Sequence, residues 1–175
     1  MTLDTFTTAR LSAERLTPKH RDEIVRMHQD ARVMAMLGGV RDNAKTQDYL
    51  DRNLAHWDTH GFGLWILRDR MSGEMIGRGL LRHLDVQGQD DIETGYAFYP
   101  PWWGKGLATE ISLAALAFAF NDLNLDRIVA FTLTDNQASR RVMEHCGFIY
   151  DRDIVHAGLP HVLCVLESRS FSMRS

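Results

Sequence analysis

A glycine-bearing loop between a predicted strand and a predicted helix constrains the fold of this chain more than any other segment. Residues 91–99 (DIETGYAFY) have the composition of a strand, and residues 107–121 form a nearly all-apolar stretch of helical length. Between them lies Trp103-Gly104-Lys105-Gly106-Leu107-Ala108. Small residues at such a junction let backbone N–H groups converge on one point, and a helix N-terminus adds positive potential. The loop is thus a site for a pyrophosphate, and a glycine-rich turn that binds nothing is the plain alternative.

The pattern on either side of this loop predicts the order β-α-α-β-β-β-α-β-α-β-β. Strands are predicted over residues 9–16, 62–68, 75–84, 91–99, 127–133, 148–155 and 161–167. Helices are predicted from Thr17-Pro18 onward, around residues 49–57, and over 107–121 and 136–146. The fold class is therefore α/β (α+β), a mixed sheet with helices on both faces. No repeat or linker divides the 175 residues, so we expect one domain over residues 1–175.

Composition and charge exclude several classes of function. The net charge is −3, whereas nucleic-acid binders are usually strongly basic, and a weakly acidic surface slightly favours cationic amines. The apolar run 111–120 is too short to span a bilayer, and residues 1–10 do not resemble a signal peptide. Two cysteines, Cys146 and Cys164, favour a reducing compartment, and no ligand spacing predicts a metal site. We expect a cytoplasmic monomer or homodimer without nucleic-acid, membrane or metal partners.

Two other phosphate-binding motifs compete for the glycine loop. A P-loop requires GxxxxGK[ST], and the chain contains no such string. A dinucleotide fingerprint requires GxGxxG; here Thr109 takes the third glycine position, and Asp135 lies where a ribose-binding acid would. The glycines follow Pro-Pro-Trp-Trp rather than the strand itself, and about 70 residues are few for completing a doubly wound sheet. A nucleotide-binding oxidoreductase remains the third-ranked interpretation.

Two sequence blocks resemble the GNAT superfamily of acyl-CoA-dependent N-acyltransferases. Residues 93–110 (ETGYAFYPPWWGKGLATE) follow the pattern EIGYWLxPxxWGKGxATE without a gap, and residues 136–148 (NQASRRVMEHCGF) follow NxxSxxxxExxGF. Both patterns are typical of the branch that contains ribosomal-protein alanine N-acetyltransferases. Trp103 departs from the general pyrophosphate motif, which has Gln or Arg at that position. The resemblance in element order and block spacing covers residues 9 to about 167.

This resemblance implies a fold and a reaction. The sheet is expected to be mixed, mostly antiparallel and splayed around acetyl-CoA, the cosubstrate. The acetyl group then passes to a primary amine by direct attack in a ternary complex. The branch favours a peptide or protein N-terminal α-amine, while a small-molecule amine stays open as the acceptor. Residues 37–43 and 156–161 are expected to shape the acceptor pocket.

The resemblance also assigns cofactor contacts. The backbone at Phe98 and Tyr99 corresponds to the place where the strand parts from its neighbour and pairs with the pantetheine amides. The loop supplies N–H donors to the pyrophosphate, and Asn136 both caps a helix and bonds the CoA arm. The implied cofactor-binding residues are Phe98, Tyr99, Trp103, Gly104, Lys105, Gly106, Leu107, Ala108, Thr109 and Asn136.

Glu93 and Ser139 are the candidate catalytic residues. Amine attack on a thioester requires loss of a proton, and Glu93 on the central strand is the expected base, directly or through a water. A strand glutamate paired with a basic neighbour is the structural alternative, and Asp91 is the alternative base. Met143 stands where many members of the superfamily have a tyrosine that acts as the general acid. Ser139 is therefore the candidate for the general acid in this chain. A CoA-binding module without transferase activity, used for sensing or assembly, is the alternative function.

Overall fold

The computed structural model describes residues 3–172 and contains an eight-stranded sheet with helices around it. The strands are β1 Thr5–Thr7, β2 Leu11–Arg15, β3 Leu64–Asp69, β4 Met75–Val86, β5 Gln89–Phe98, β6 Arg127–Leu133, β7 Ile149–His156 and β8 Leu159–Glu167. The helices are α1 Arg21–Gln29, α2 Ala31–Met34, α3 Asn43–His60, α4 Leu107–Asn121 and α5 Gln137–Cys146. None of these helices is long and apolar enough to cross a membrane.

The sheet is mixed and opens in its middle. Its strand order is β1-β2-β3-β4-β5-β6-β8-β7, and every neighbouring pair is antiparallel except β5 and β6. The register of this parallel pair consists of Glu93 opposite Val129, while β5 stays paired with β4 as far as Phe98. Beyond that pair the carboxyl halves of β5 and β6 line the two sides of a cleft. The expected mixed, mostly antiparallel, splayed sheet is confirmed.

Both faces of the sheet are covered near its centre. Leu64, Trp65, Ile66 and Leu67 follow one another along β3, and all four are fully buried. Because successive side chains of a strand point to opposite faces, this run shows that each face packs against other elements. Helix α4 packs on β4 and β5. The core thereby holds the central strands rigidly on either side of the opening.

The structure differs from the sequence prediction at the sheet's amino end and at two hairpins. Strand β1 and the short helix α2 were not predicted; Asp30 caps α2 by accepting from the Arg32 and Val33 N–H groups. The predicted loop 85–90 is a two-residue turn at Gln87 and Gly88, whose φ values are 54° and 85°. The predicted turn 157–160 shrinks to residues 157–158 in the same way. Left-handed turn residues let the strands pair up to the turn, which apolar alternation alone does not reveal.

We expect Gly77→Ala to destabilise the fold because an added Cβ would overlap atoms of β5. A Cβ at Gly77 would lie 2.5 Å from the Ala97 carbonyl oxygen and 2.6 Å from the Phe98 ring. Such overpacking costs about 1–3 kcal/mol of the free energy of unfolding, measured by urea denaturation. Gly95→Ala is the matched control on β5, since its Cβ would meet Leu80 at an ordinary 3.6 Å. An equal loss of stability in both variants would contradict the proposed close approach.

Candidate active site

The cleft between β5 and β6 has a volume of about 1020 Å³. It runs from the glycine loop, past residues 94–98 and 130–133 of the two strands, to residues 156–161. Every residue predicted from the sequence to bind cofactor or to act in catalysis lines it, except Tyr99. The two blocks that carry the family resemblance therefore meet around one opening.

The glycine loop is shaped for close approach of a ligand to its backbone. Gly104 and Gly106 have φ values of 70° and 76°, in the left-handed region that favours glycine, and α4 begins directly after Gly106. Nothing lies within 4 Å of where a Cβ of Gly104 would be. The N–H groups of the first turn of α4 lack intrahelical partners, and residues 106–109 line the cleft. An anionic pyrophosphate suits this arrangement of donors and helix potential.

Arg10 holds the loop from the amino end of the chain. Its Nη1 donates to the Lys105 carbonyl over 2.6 Å, and its Nε donates to the Glu110 carboxylate over 2.8 Å. Burial opposes ionisation of Glu110, but the bonds from Thr8 and Arg10 outweigh it and lower the pKa of Glu110. Glu110, in the first turn of α4, thus stays ionised, and Arg10 compensates its charge from outside the cleft lining. This Arg10 brace leaves the positive end of the helix available for an anion.

The backbone at Phe98 and Tyr99 is divided between the sheet and the cleft. The Tyr99 N–H donates to the Ile76 carbonyl over 2.9 Å, so it is already used by β4. The Phe98 carbonyl accepts from the Trp103 indole over 2.7 Å. Because successive N–H groups point to opposite sides of a strand, the Phe98 N–H faces away from β4 toward the opening. Phe98, rather than Tyr99, therefore presents a backbone donor to a ligand in the cleft.

Helix α5 places a hydroxyl pair beside the opening. Asn136 caps the helix by accepting from the Ser139 N–H over 3.2 Å. The Tyr96 phenol donates to Ser139 Oγ over 3.3 Å, and burial raises the pKa of Tyr96. The Tyr96 ring packs against the core, and Tyr96 also lines the cleft. Met143 is buried beside this pair without a polar group of its own.

Glu93 lies at the pair where the two strands part and is only 5% exposed. Its Oε1 accepts from Arg82 Nε over 2.5 Å, and both side chains line the cleft. Burial opposes the charge on Arg82, but the adjoining Glu93 carboxylate prevails and raises the pKa of Arg82. The ion pair with a basic neighbour, expected if Glu93 had only a structural role, is present, and it lies inside the cleft. Asp91 instead accepts from Arg127 Nη2 over 3.1 Å and lies outside the cleft lining.

Two histidines, His156 and His161, line one part of the cleft. His156 and His161 lie 5.6 Å apart, and Phe131 packs against both at 4.8 Å and 5.5 Å between ring centroids. Burial lowers the pKa of His156, the nearby Glu93 charge raises it, and His161 and Arg82 lower it further. His83 lies elsewhere, in contact with Asp90. His156 therefore lies near Glu93 and Arg82, with its ring neutral. The part of the cleft that holds these residues is the end where the acceptor is expected.

Arginines at this end of the cleft were missed by the sequence reasoning. Arg41, Arg78 and Arg82 all line it, and Tyr49 lies among them. The available signal was Arg78, a charged residue inside the otherwise apolar strand segment 75–81. Cys146 and Cys164 are buried free thiols, and burial raises the pKa of Cys146 to about 11. No group of three or more His, Cys, Asp or Glu side chains in residues 3–172 is placed to hold a metal ion.

A splayed mixed sheet that meets a glycine loop at a helix N-terminus is the architecture of acyl-CoA-dependent transferases. The chain belongs to the GNAT acetyltransferase family: the profile of the Acetyltransferase (GNAT) domain matches residues 10–149. It is accordingly an acetyl-CoA-dependent N-acetyltransferase. This family membership removes the oxidoreductase interpretation of the glycine loop.

Individual relatives agree with this assignment. The FsC-acetyl coenzyme A-N(2)-transacetylase of Aspergillus fumigatus is 31% identical over 156 residues, which are 83% of this chain and 65% of that longer protein. A putative GnaT-family acetyltransferase from Bordetella pertussis superposes with a TM-score of 0.82 at 25% identity, covering 92% of this chain and 98% of that one. The ribosomal-protein-S5-alanine acetyltransferase of Vibrio fischeri shares the fold at a TM-score of 0.77 and 17% identity, covering 96% and 98% of the two chains.

We expect Gly106→Glu to abolish most acetyl-CoA binding. A side chain at this φ strains the loop and blocks the close approach, and a carboxylate also repels the pyrophosphate. Gly106→Gln is the matched control, with the same bulk and no charge. Titration calorimetry should show affinity falling by about 10-fold for Gln and at least about 10-fold further for Glu. Wild-type affinity in both variants would contradict the proposed role of the loop.

Asn136→Ala tests whether Asn136 contacts CoA in addition to capping α5. Loss of the cap costs about 1 kcal/mol of stability. Asn136→Asp keeps an oxygen for the Ser139 N–H but removes the amide donor. We expect both variants to weaken CoA binding in calorimetry, whereas only the alanine variant should melt at a clearly lower temperature. Unchanged CoA affinity in both would reduce Asn136 to a helix cap.

Proposed function

We propose that this enzyme acetylates an α-amine, with a peptide or protein N-terminus as the favoured acceptor and Glu93 as the general base. The observation that carries the proposal is the position of Glu93. It is a buried carboxylate inside the cleft, at the pair where β5 and β6 separate. Acetyl-CoA supplies the thioester whose acetyl group is transferred. Every other contribution comes from side chains and backbone groups of the chain.

Arg82 engages one of the two carboxylate oxygens of Glu93. A general base needs a free oxygen that can reach the amine, directly or through a water. The bond uses Oε1, which leaves Oε2 for the acceptor amine, directly or through a water. A peptide α-amine has a pKa near 8, so a fraction is neutral at pH 7 and a modest base suffices. The pair with Arg82 is therefore compatible with catalysis.

The second proton site lies on the opposite face of β5. Glu93 and Tyr96 are an odd number of residues apart, so their side chains point to opposite faces of the strand. Gly79 is paired with Tyr96, and a Cβ there would meet Ile111 of α4, which places Tyr96 and Ser139 on the α4 face. The hydroxyl pair holds a proton on that side of the opening, where a thiolate leaving group would need one. The amine and the thiol then occupy different faces of the splayed sheet.

Both segments expected to shape the acceptor pocket contribute to the cleft. Leu37, Gly38 and Arg41 line it from the first, and residues 156–161 line it from the second. From these segments, His156 lies near Glu93 and Arg82, and Arg41 lies near Arg82. This placement supports an acceptor that enters from the side of Glu93 and leaves the glycine loop to the cofactor.

We expect Glu93→Gln to lower kcat by about 100-fold, the usual effect of removing a general base. The KM for acetyl-CoA should change little, because the cofactor contacts lie along the loop. The assay follows release of the CoA thiol with peptides whose N-termini are free or blocked. Asp91→Asn is the matched control on the same face of β5: it should lower the melting temperature through loss of the Arg127 bond and leave kcat unchanged. Wild-type kcat in the Glu93→Gln variant would show that the proton leaves by another route.

A further inference from the structure

A buried arginine at the acceptor end of the cleft has no anionic partner. Arg78, on β4, is only 6% exposed and lines the cleft. Within residues 3–172 its Nε has no hydrogen-bond partner, and no carboxylate lies within 4.0 Å of it. Buried charges in proteins are nearly always paired, because desolvating a lone cation is costly. The Arg78 guanidinium therefore lacks, in the described part of the chain, both a counter-charge and a hydrogen-bond acceptor for Nε.

Arg41 adds a second cation to the same place. Arg41 and Arg78 lie 5.0 Å and 5.6 Å from the centroid of the Tyr49 ring. Arg41 Nη1 lies 3.4 Å from His28 Nε2, and His28 Nδ1 lies 3.0 Å from Thr46 Oγ1. Burial, with Arg41 and Arg78 adding to it, lowers the pKa of His28 to about 3, so the ring is neutral. Since a guanidinium only donates, Nε2 accepts from Arg41 and His28 contributes no compensating charge.

The charges around this end do not balance. Arg41, Arg78 and Arg82 face the cleft, and the carboxylate that lies with them among residues 3–172 is Glu93, which Arg82 already engages. Burial lowers the pKa of Arg41, Tyr49 opposes this effect, and the neighbouring Arg78 and Arg82 lower the pKa further. An anion that enters here would replace lost hydration and relieve the mutual repulsion.

Strand register places Arg78 and Arg82 on the same face of the sheet as the proposed base. Arg78 and Arg82 lie an even number of residues apart on β4, so they share one face of the sheet. Arg82 is opposite Glu93, and Arg78 is opposite Ala97, which lies on that same face of β5. The hydroxyl pair of Tyr96 and Ser139 belongs to the other face. An anion held by Arg78 and Arg41 thus lies on the side where the acceptor meets Glu93.

We infer that the acceptor carries a carboxylate, which Arg78 and Arg41 bind while its amine reaches Glu93. This inference rests on the proposed function, because it refines the acceptor of that reaction. The carboxylate has two possible sources, the α-carboxylate of a free amino acid and an acidic side chain near a peptide N-terminus. The same cations disfavour a polyamine, which brings only positive charge to the site.

The experiment compares carboxylate-bearing amines with neutral partners of the same size. Alanine is paired with alaninamide, and the amidated peptide Ala-Glu-Ala is paired with amidated Ala-Gln-Ala. We expect wild-type kcat/KM to favour the acidic member of at least one pair by about 10- to 100-fold, the effect of one charge-assisted hydrogen bond. The pair that shows the preference identifies the source. A carboxylate raises the pKa of a nearby amine and leaves less of it neutral, so this effect opposes the expected preference.

Arg78→Met should remove the preference by lowering kcat/KM for the acidic member alone. Arg41→Gln, at a partly exposed position, should reduce it and serves if the buried substitution impairs folding. Arg52→Met is the matched control, since Arg52 is an exposed arginine of α3 outside the cleft lining. It should retain the wild-type preference.

Three outcomes separate this inference from the proposed function. Transfer to acidic and neutral amines at equal kcat/KM overturns the inference and leaves the proposed function intact. A rise in KM for acetyl-CoA in Arg78→Met, with the preference unchanged, assigns the arginine to the cofactor and also overturns it. Calorimetric binding of alanine, but not alaninamide, that requires Arg78 and occurs without any transfer supports the carboxylate site and refutes the proposed acceptor chemistry.

Discussion

The separation of β5 from β6 is the constraint on which the site depends. The two strands are parallel neighbours only at Glu93 and Val129, whereas β4 holds β5 and β8 holds β6 along their whole lengths. Parting two strands leaves N–H and C=O groups without ladder partners, which is costly unless something replaces them. The Trp103 indole replaces one partner at the Phe98 carbonyl. A ligand with amide groups would replace others, so the opening favours a pantetheine-like chain over water.

The same separation divides the chemistry between two faces. Successive side chains of β5 point to opposite faces of the sheet. One face is that of α4 and α5, and the other carries the arginines of β4. Tyr96 lies with Ser139 on the first face, and Glu93 lies with Arg82 on the second. The proposed proton acceptor and the proposed proton donor are thereby kept apart without any long loop between them. One strand positions both, which makes their relative geometry as rigid as the sheet.

Local patterns predicted the parts of the site that are contiguous in sequence. Strand β5, the loop and α4 follow one another, and Asn136 precedes its own helix, so spacing and capping rules sufficed. The features that the sequence did not indicate depend on contacts between distant segments. The Arg10 brace to Lys105 spans 95 residues, and the Tyr99 N–H was claimed by β4 rather than by the cleft. Arg78 showed a local signal in its apolar strand, but its lack of a partner is visible only once Tyr49 and Arg41 are in place.

The electrostatic character of the cleft is opposite to that of the whole chain. A net charge of −3 suggested a slight attraction for cationic amines. Yet the arginines and the lysine that line the cleft are Arg32, Arg41, Arg78, Arg82, Lys105 and Arg141, and the carboxylate that lines it within the described residues is Glu93. Arg32 is paired with Asp30 and Arg82 with Glu93, which leaves the other four cations in excess. In a concave, partly dehydrated site these near charges outweigh the distant surface, because salt and water screen the latter. The field therefore favours anions at both ends, the phosphates of the cosubstrate at the loop and a carboxylate of the acceptor beside Glu93. The positive field also favours the neutral form of the acceptor amine over the protonated form, as the proposed base does.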